Sequence, residues 1–103
     1  MKTILVVDSD PIMLHTVAGL LKSQGNLLQV LSATNIDTAL DILAVDDVHI
    51  IITGLHMAEV DAFELLSMLK DEYADTRVIV MTNNASSMFR AKIKQMPTVI
   101  HFD

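Results

Sequence analysis

The sequence predicts an α/β domain, a parallel sheet with helices on both faces. Three observations carry that expectation. Five short β-rich apolar runs alternate with four segments whose apolar residues recur at helical spacing, the pattern left by crossover helices between parallel strands. The third run, Val48–Thr53, is apolar on both faces, as a buried central strand is. At 103 residues, 51% of them hydrophobic, the chain reads as one domain, 1–103, with enough apolar surface for a core and too much for disorder.

The first strand is Thr3–Val7, ending at the acid Asp8. A helix over Pro11–Ser23 follows, with Ile12, Val17, Leu20 and Leu21 spaced for one face. Asp10 is its N-cap, Pro11 its first helical residue and Gly25 its C-cap. Leu27–Leu31 is the second strand. Thr34 or Asn35 caps a helix carrying Ile36, Leu40 and Leu43, and Asp46-Asp47 turns the chain into the third strand. Asp61 caps a helix over Ala62–Tyr73, whose buried stripe is either Phe63, Leu66 and Leu69 or Leu65, Met68 and Leu69. Arg77–Thr82 is the fourth strand. Ser86–Gln95 is a weaker helix with Met88, Phe89 and Ile93, and Pro97 introduces the last strand, Thr98–Phe102. Right-handed crossovers favour the strand order 2-1-3-4-5, although periodicity alone leaves the order open.

Composition narrows the function classes. The formal charge of −6 argues against a nucleic-acid surface, which needs clustered Lys and Arg. The chain has no cysteine, hence no disulfide framework, no thiolate nucleophile and no Cys-ligated zinc, which suits the reducing cytoplasm. No apolar stretch reaches the roughly 18–20 residues of a membrane-spanning helix, and Asp8 interrupts the first run too early for a signal peptide. No membrane role is expected. His15, His49, His56 and His101 fall in no metal-ligand spacing and read as solvated or core-edge residues. Ser9 has no His-plus-acid pattern to activate it. No glycine pattern cradles a nucleotide, the seven Met are packing residues, and Asp71-Glu72 is a solvated turn.

Three segments carry a more specific signal: Ile4-Leu5-Val6-Val7-Asp8-Ser9-Asp10, the stretch from Gly54-Leu55-His56-Met57 to Leu66, and Val78-Ile79-Val80-Met81-Thr82. Together they resemble the receiver domain of two-component response regulators, over essentially the whole chain. The resemblance implies a flavodoxin-like (CheY-like) doubly wound fold. It also implies a further helix after the fifth strand, which this sequence does not contain. That absence leads to two expectations: the 103 residues are part of a longer protein, or this form is a homodimer that covers its exposed sheet face.

In that family an aspartate ending the third strand accepts a phosphoryl group. Two acids after the first strand, together with that aspartate, hold Mg²⁺, which prefers hard oxygen ligands. Asp8 matches the first acid, Ser9 replaces the second, and Gly54 replaces the aspartate, leaving no side-chain nucleophile. His56 falls where a backbone carbonyl completes the metal shell. Mg²⁺ binding is therefore expected to be weak or lost, with at best a residual cation site on Asp8. The alternative for Asp8 is a helix-flanking acid on a solvated rim. Thr82 matches the family's hydroxyl after the fourth strand, and Asn83 is a bulkier residue at the pocket mouth than the usual Ala or Gly. His101 stands where a switching Tyr or Phe is common. The usual Met-Pro is Met57-Ala58, and the usual Asp-Gly is Asp61-Ala62. The family lysine would lie just past Asp103.

These residues give an expected function: a pseudo-receiver, not an enzyme and without a cofactor. It would be a protein-interaction module whose partner is a histidine kinase, an output domain or another signalling protein. The alternatives are a residual phosphoacceptor using Asp8 or Asp10, neither of which belongs to the third strand, and a small-molecule sensor that takes an uncharged ligand where Gly54 removes a side chain.

Overall fold

The structure is a computed structural model and describes every residue except Asn26, Asn84, Pro97, Thr98 and Asp103. Strands and helices alternate as β1 Lys2–Val7, α1 Pro11–Lys22, β2 Leu28–Ala33, α2 Ile36–Val45, β3 Ile50–Thr53, α3 Glu59–Glu72, β4 Arg77–Met81, α4 Ser87–Ile93 and β5 Val99–Phe102. All neighbouring strands are parallel, in the order β2-β1-β3-β4-β5. This is the flavodoxin-like arrangement expected from the sequence, and the elements end with β5.

Helix starts follow from local capping chemistry. The Asp10 carboxylate accepts from Ile12 N–H at 2.9 Å, the Asn35 side chain from Thr38 N–H at 2.8 Å, and the Ser86 hydroxyl from Phe89 N–H at 3.1 Å. α3 differs. It begins at Glu59 rather than Ala62, with Ala58 at its cap and no side-chain bond there. Asp61 is not the cap but lies with Glu59 in the first turn, where negative charge suits the positive end of the helix dipole.

Period-two alternation divides the sheet's side chains between two cores. Leu5, Val7, Ile51, Val78 and Val80 face α2, α3 and α4, packing with Leu43, Leu65, Leu66 and Phe89. Ile4, Val6 and Ile52 face α1 and pack with Leu14. Each such buried side chain contributes about 1.5–3 kcal/mol. The α1 face is the thinner layer: Ile79 and Met81 are half-buried, and Ile100 is 51% exposed.

Several sequence expectations shift. The buried stripe of α1 is Leu14 and Ala18 with Val17 and Leu21, while Ile12 and Leu20 are 77% and 64% exposed. Apolar residues lie almost all round this helix, so two stripes fitted the spacing and only the sheet selects one. In α3 the buried set, Ala62, Leu65, Leu66 and Leu69, mixes the two alternatives. Met88 is exposed rather than packed. Ser23 closes α1, and Gly25 lies just beyond it with φ 131°, a conformation that favours glycine. β2 runs on to Ala33, which pairs with Val7. β3 starts at Ile50, preceded by His49, whose N–H donates to Thr3 O and whose Nδ1 accepts from Thr3 N–H. The residues expected to open the last strand, Pro97 and Thr98, lie outside those described.

Candidate functional site

The carboxyl ends of β1, β3 and β4 meet at one edge of the sheet, where the strand order reverses and ligands of such folds bind. The backbone sets the geometry. Gly54 N–H donates to Val7 O at 2.7 Å, and Asp8 N–H donates to Ala33 O at 3.1 Å. These bonds hold Asp8 and Gly54 side by side, each just past the end of its strand.

Their approach is closer than two side chains allow. A Cβ placed on Gly54 would come within 2.5 Å of Asp8 Cγ and 2.7 Å of Asp8 Cβ, and nearer still to Asp8 Oδ2. Asp8 thus fills the room that a side chain at position 54 would need. Its residue is 1% exposed, so the solvated-rim expectation is wrong. Asp8 Oδ1 accepts from Asp10 N–H at 2.9 Å, whereas Oδ2 has no hydrogen-bond partner among the described residues. A buried oxygen left in this way costs about 1–3 kcal/mol. The small-molecule expectation also changes here, because the space that glycine opens is taken by Asp8.

The other metal-shell positions are occupied with one another. Ser9 Oγ–H donates to the backbone carbonyl of His56 at 2.7 Å. The His56 ring bridges two acids, with Nδ1 3.4 Å from Asp8 Oδ1 and Nε2 3.8 Å from Asp10 Oδ2. The available donor set is one buried carboxylate, half engaged, and a carbonyl already bonded. Octahedral Mg²⁺ needs several free oxygens converging on one point, and these residues do not fit it. Among the described residues, no three His, Asp or Glu side chains are arranged to share a metal ion.

Across the crevice, Thr82 Oγ1 lies 2.6 Å from His101 Nε2, so the hydroxyl after β4 is tied to β5. The His101 ring meets Phe89 edge-on at 6.4 Å, and Phe89 meets Phe63 at 5.5 Å. Burial, and then the nearby Arg90 guanidinium, push the His101 imidazole below the usual histidine value. Asn83 is exposed. A cavity of about 460 Å³ opens at the β1 side of this crevice, between the end of β1, the start of α2 and the β3–α3 loop. Its lining includes Ser9, Asn35, His56, Asp37, Asp61 and Glu64. Three carboxylates make it unfavourable for a phosphate-like anion.

The structure therefore brings Asp8, Ser9, Gly54 and His56 together as one group and pairs Thr82 with His101. Sequence reasoning missed two contacts. Asp10, expected as a cap or as a residual phosphoacceptor, also has its second oxygen 3.8 Å from His56 Nε2. Glu59 accepts from Ser86 N–H and Ser86 Oγ–H, both at 2.8 Å, joining the start of α3 to the cap of α4. The two residues are 27 positions apart, and no local spacing signals the pair. No helix among the described residues is long and apolar enough to cross a membrane.

Comparison with known proteins adds to this geometry. A family model described as the response regulator receiver domain matches residues 4–99. The signal receiver domain of an HD domain-containing protein from Pseudomonas fluorescens Pf-5 is 25% identical, with TM-score 0.84, over 97% of this chain and 78% of that one. A response regulator from Burkholderia pseudomallei, solved with a phosphorylated aspartic acid, a calcium ion and citrate, is 25% identical with TM-score 0.81, over 98% of this chain and 59% of that one. TrrA from Thermotoga maritima, solved with Mg²⁺ and BeF, is 22% identical with TM-score 0.77, over 100% of this chain and 88% of that one, and shows likeness of fold. Comparison with curated proteins gives no match.

Proposed function

The chain belongs to the response regulator receiver domain family, and we propose that it is a receiver that does not accept a phosphoryl group and signals through protein contacts alone. One observation carries this reading: Asp8 fills the space in which a nucleophile at position 54 would stand. Phosphoryl transfer needs an exposed oxygen in line with the donor and cations to take up the developing charge. Gly54 supplies no oxygen. Asp8 is 1% exposed and hydrogen-bonded by Asp10, so it does not substitute. Mg²⁺ binding is weak or lost, because Asp8 is the one carboxylate left of the three that the family uses, Ser9 and Gly54 standing at the other two positions.

The partner is a protein of two-component signalling, a histidine kinase or an output domain, met in the cytoplasm. The thinner α1 face, with Ile79 and Met81 half-buried and Ile100 51% exposed, suits such a contact or a second copy of the chain. Sedimentation over a range of concentrations distinguishes self-association from a free monomer.

Incubation with acetyl phosphate and Mg²⁺, followed by intact-mass measurement, tests the central reading. No added phosphoryl mass is expected. A stoichiometric adduct released by hydroxylamine would overturn it, and loss of that adduct in Asp8→Asn would assign it to Asp8.

A further inference from the structure

At the amino ends of the central strands a ring nitrogen takes the part of a backbone carbonyl. Thr3 N–H of β1 donates to His49 Nδ1 at 3.0 Å, and His49 N–H donates back to Thr3 O at 3.0 Å. The regular β1–β3 pairs begin one residue later, at Ile4 and Ile50. His49 O accepts from Arg77 N–H at 3.1 Å, so this residue ties both β1 and β4 to the start of β3. Thr3 is buried, and its hydroxyl is bonded to Gln29 Oε1 at 3.0 Å. We propose that the Thr3–His49 bond is an acid-sensitive fastener of the sheet, closed only while the His49 ring is neutral.

The roles of donor and acceptor carry this inference. A backbone N–H can only donate. The nitrogen it meets must therefore be bare, which fixes the neutral ring as the tautomer with its proton on Nε2. An imidazolium carries a proton on each nitrogen, so at Nδ1 two donors would meet. Neither can reverse its role, as a hydroxyl could. The bond then opens and a buried N–H loses its acceptor, a state that buried backbone groups avoid. The charged groups around the ring do not close it again. Asp47 Oδ2 is 4.0 Å from Nε2, on a side chain that is 98% exposed, where water screens its pull. It also faces the nitrogen that holds a proton in both states. Two cations and one acid, Lys2, Arg77 and Asp75, line the same cavity of about 450 Å³. That cavity gives the charged ring a path to water. Acid frees Thr3 N–H, while the bond from His49 N–H and the pairs from Ile4 and Ile50 onward have no titrating partner and stay closed. None of this depends on whether phosphoryl chemistry occurs at Asp8 or Gly54.

NMR on the isotope-labelled whole chain reads the bond directly. At about pH 8 a scalar coupling across the bond should connect Thr3 N to His49 Nδ1, and at about pH 5 it should be gone. Its loss should run in step with the titration of the His49 ring. Thr3 amide exchange, corrected for the intrinsic effect of pH, should quicken by about tenfold or more. The amides of Ile52 and Val80 should keep their protection. His49→Asn puts a carbonyl oxygen near the place of Nδ1 and cannot charge, so Thr3 should stay protected at both pH values. His49→Leu removes the acceptor and should leave Thr3 in fast exchange at both. A coupling absent at the higher pH, a bond that persists at the lower pH, or an acid step that survives in His49→Asn would overturn the proposal.

Discussion

The ends of β1 and β3 and the ends of β4 and β5 face each other across one crevice, yet they are held by different means. Between β1 and β3 the Asp8 side chain fills the room that a side chain at Gly54 would need. Ser9, His56 and Asp10 then bond inward around it. Between β4 and β5 the hydroxyl of Thr82 and the ring of His101 keep a direct bond, backed by Phe89 and Phe63. The glycine at one strand end is packed by groups in direct contact with it, and the pair two strands away is held by its own side chains, each strand of a parallel sheet being fixed by its own ladder.

Phe89→Ala should break the comparison most strongly. Phe89 is 2% exposed and supports both Phe63 and His101. Urea unfolding should show a loss of about 3–5 kcal/mol, and the Thr82–His101 side should loosen while the Asp8 side keeps its contacts. Gly54→Asp comes next. Inserting a carboxylate against Asp8 should cost about 1–3 kcal/mol by crowding, with like-charge repulsion in addition, and acetyl phosphate should still leave no adduct. An efficiently phosphorylated Gly54→Asp protein would mean that Asp8 yields its place easily. Ser86→Ala removes the cap of α4 and the partner of Glu59 and should cost about 1 kcal/mol, read from thermal melts. Ser9→Ala deletes one exposed bond to His56 O and should have the smallest effect, at most about 0.5–1 kcal/mol.

These contrasts show what the sequence could reveal. Element sequence was legible, because parallel strands are uninterrupted apolar runs and caps such as Asp10 and Asn35 mark helix starts; strand order needed the right-handed crossover rule and the receiver resemblance as well. The resemblance to receiver domains is what pointed to positions 8, 9, 54, 56, 82 and 101. The burial of Asp8 was not legible, because an acid after a strand looks the same whether it faces solvent or the empty side of a glycine. The stripe of α1 was ambiguous for a related reason: Ile12 and Leu20 are as apolar as the residues that the sheet selects. The Glu59–Ser86 bond joins the first turn of α3 to the cap of α4, which only the tertiary fold brings together.

A double-mutant cycle between positions 8 and 54 addresses the central claim most directly. Gly54→Ala in the wild-type background should destabilise the domain by about 1–3 kcal/mol. Asp8→Ala is the wrong partner, since it keeps the Cβ that would lie 2.7 Å away. Asp8→Gly removes the three nearest atoms, Oδ2, Cγ and Cβ. In that background Gly54→Ala should cost little or even stabilise, giving a coupling energy of about 1 kcal/mol or more. Equal costs of Gly54→Ala in the two backgrounds would show that Asp8 does not occupy the space of the missing side chain, and would contradict the account.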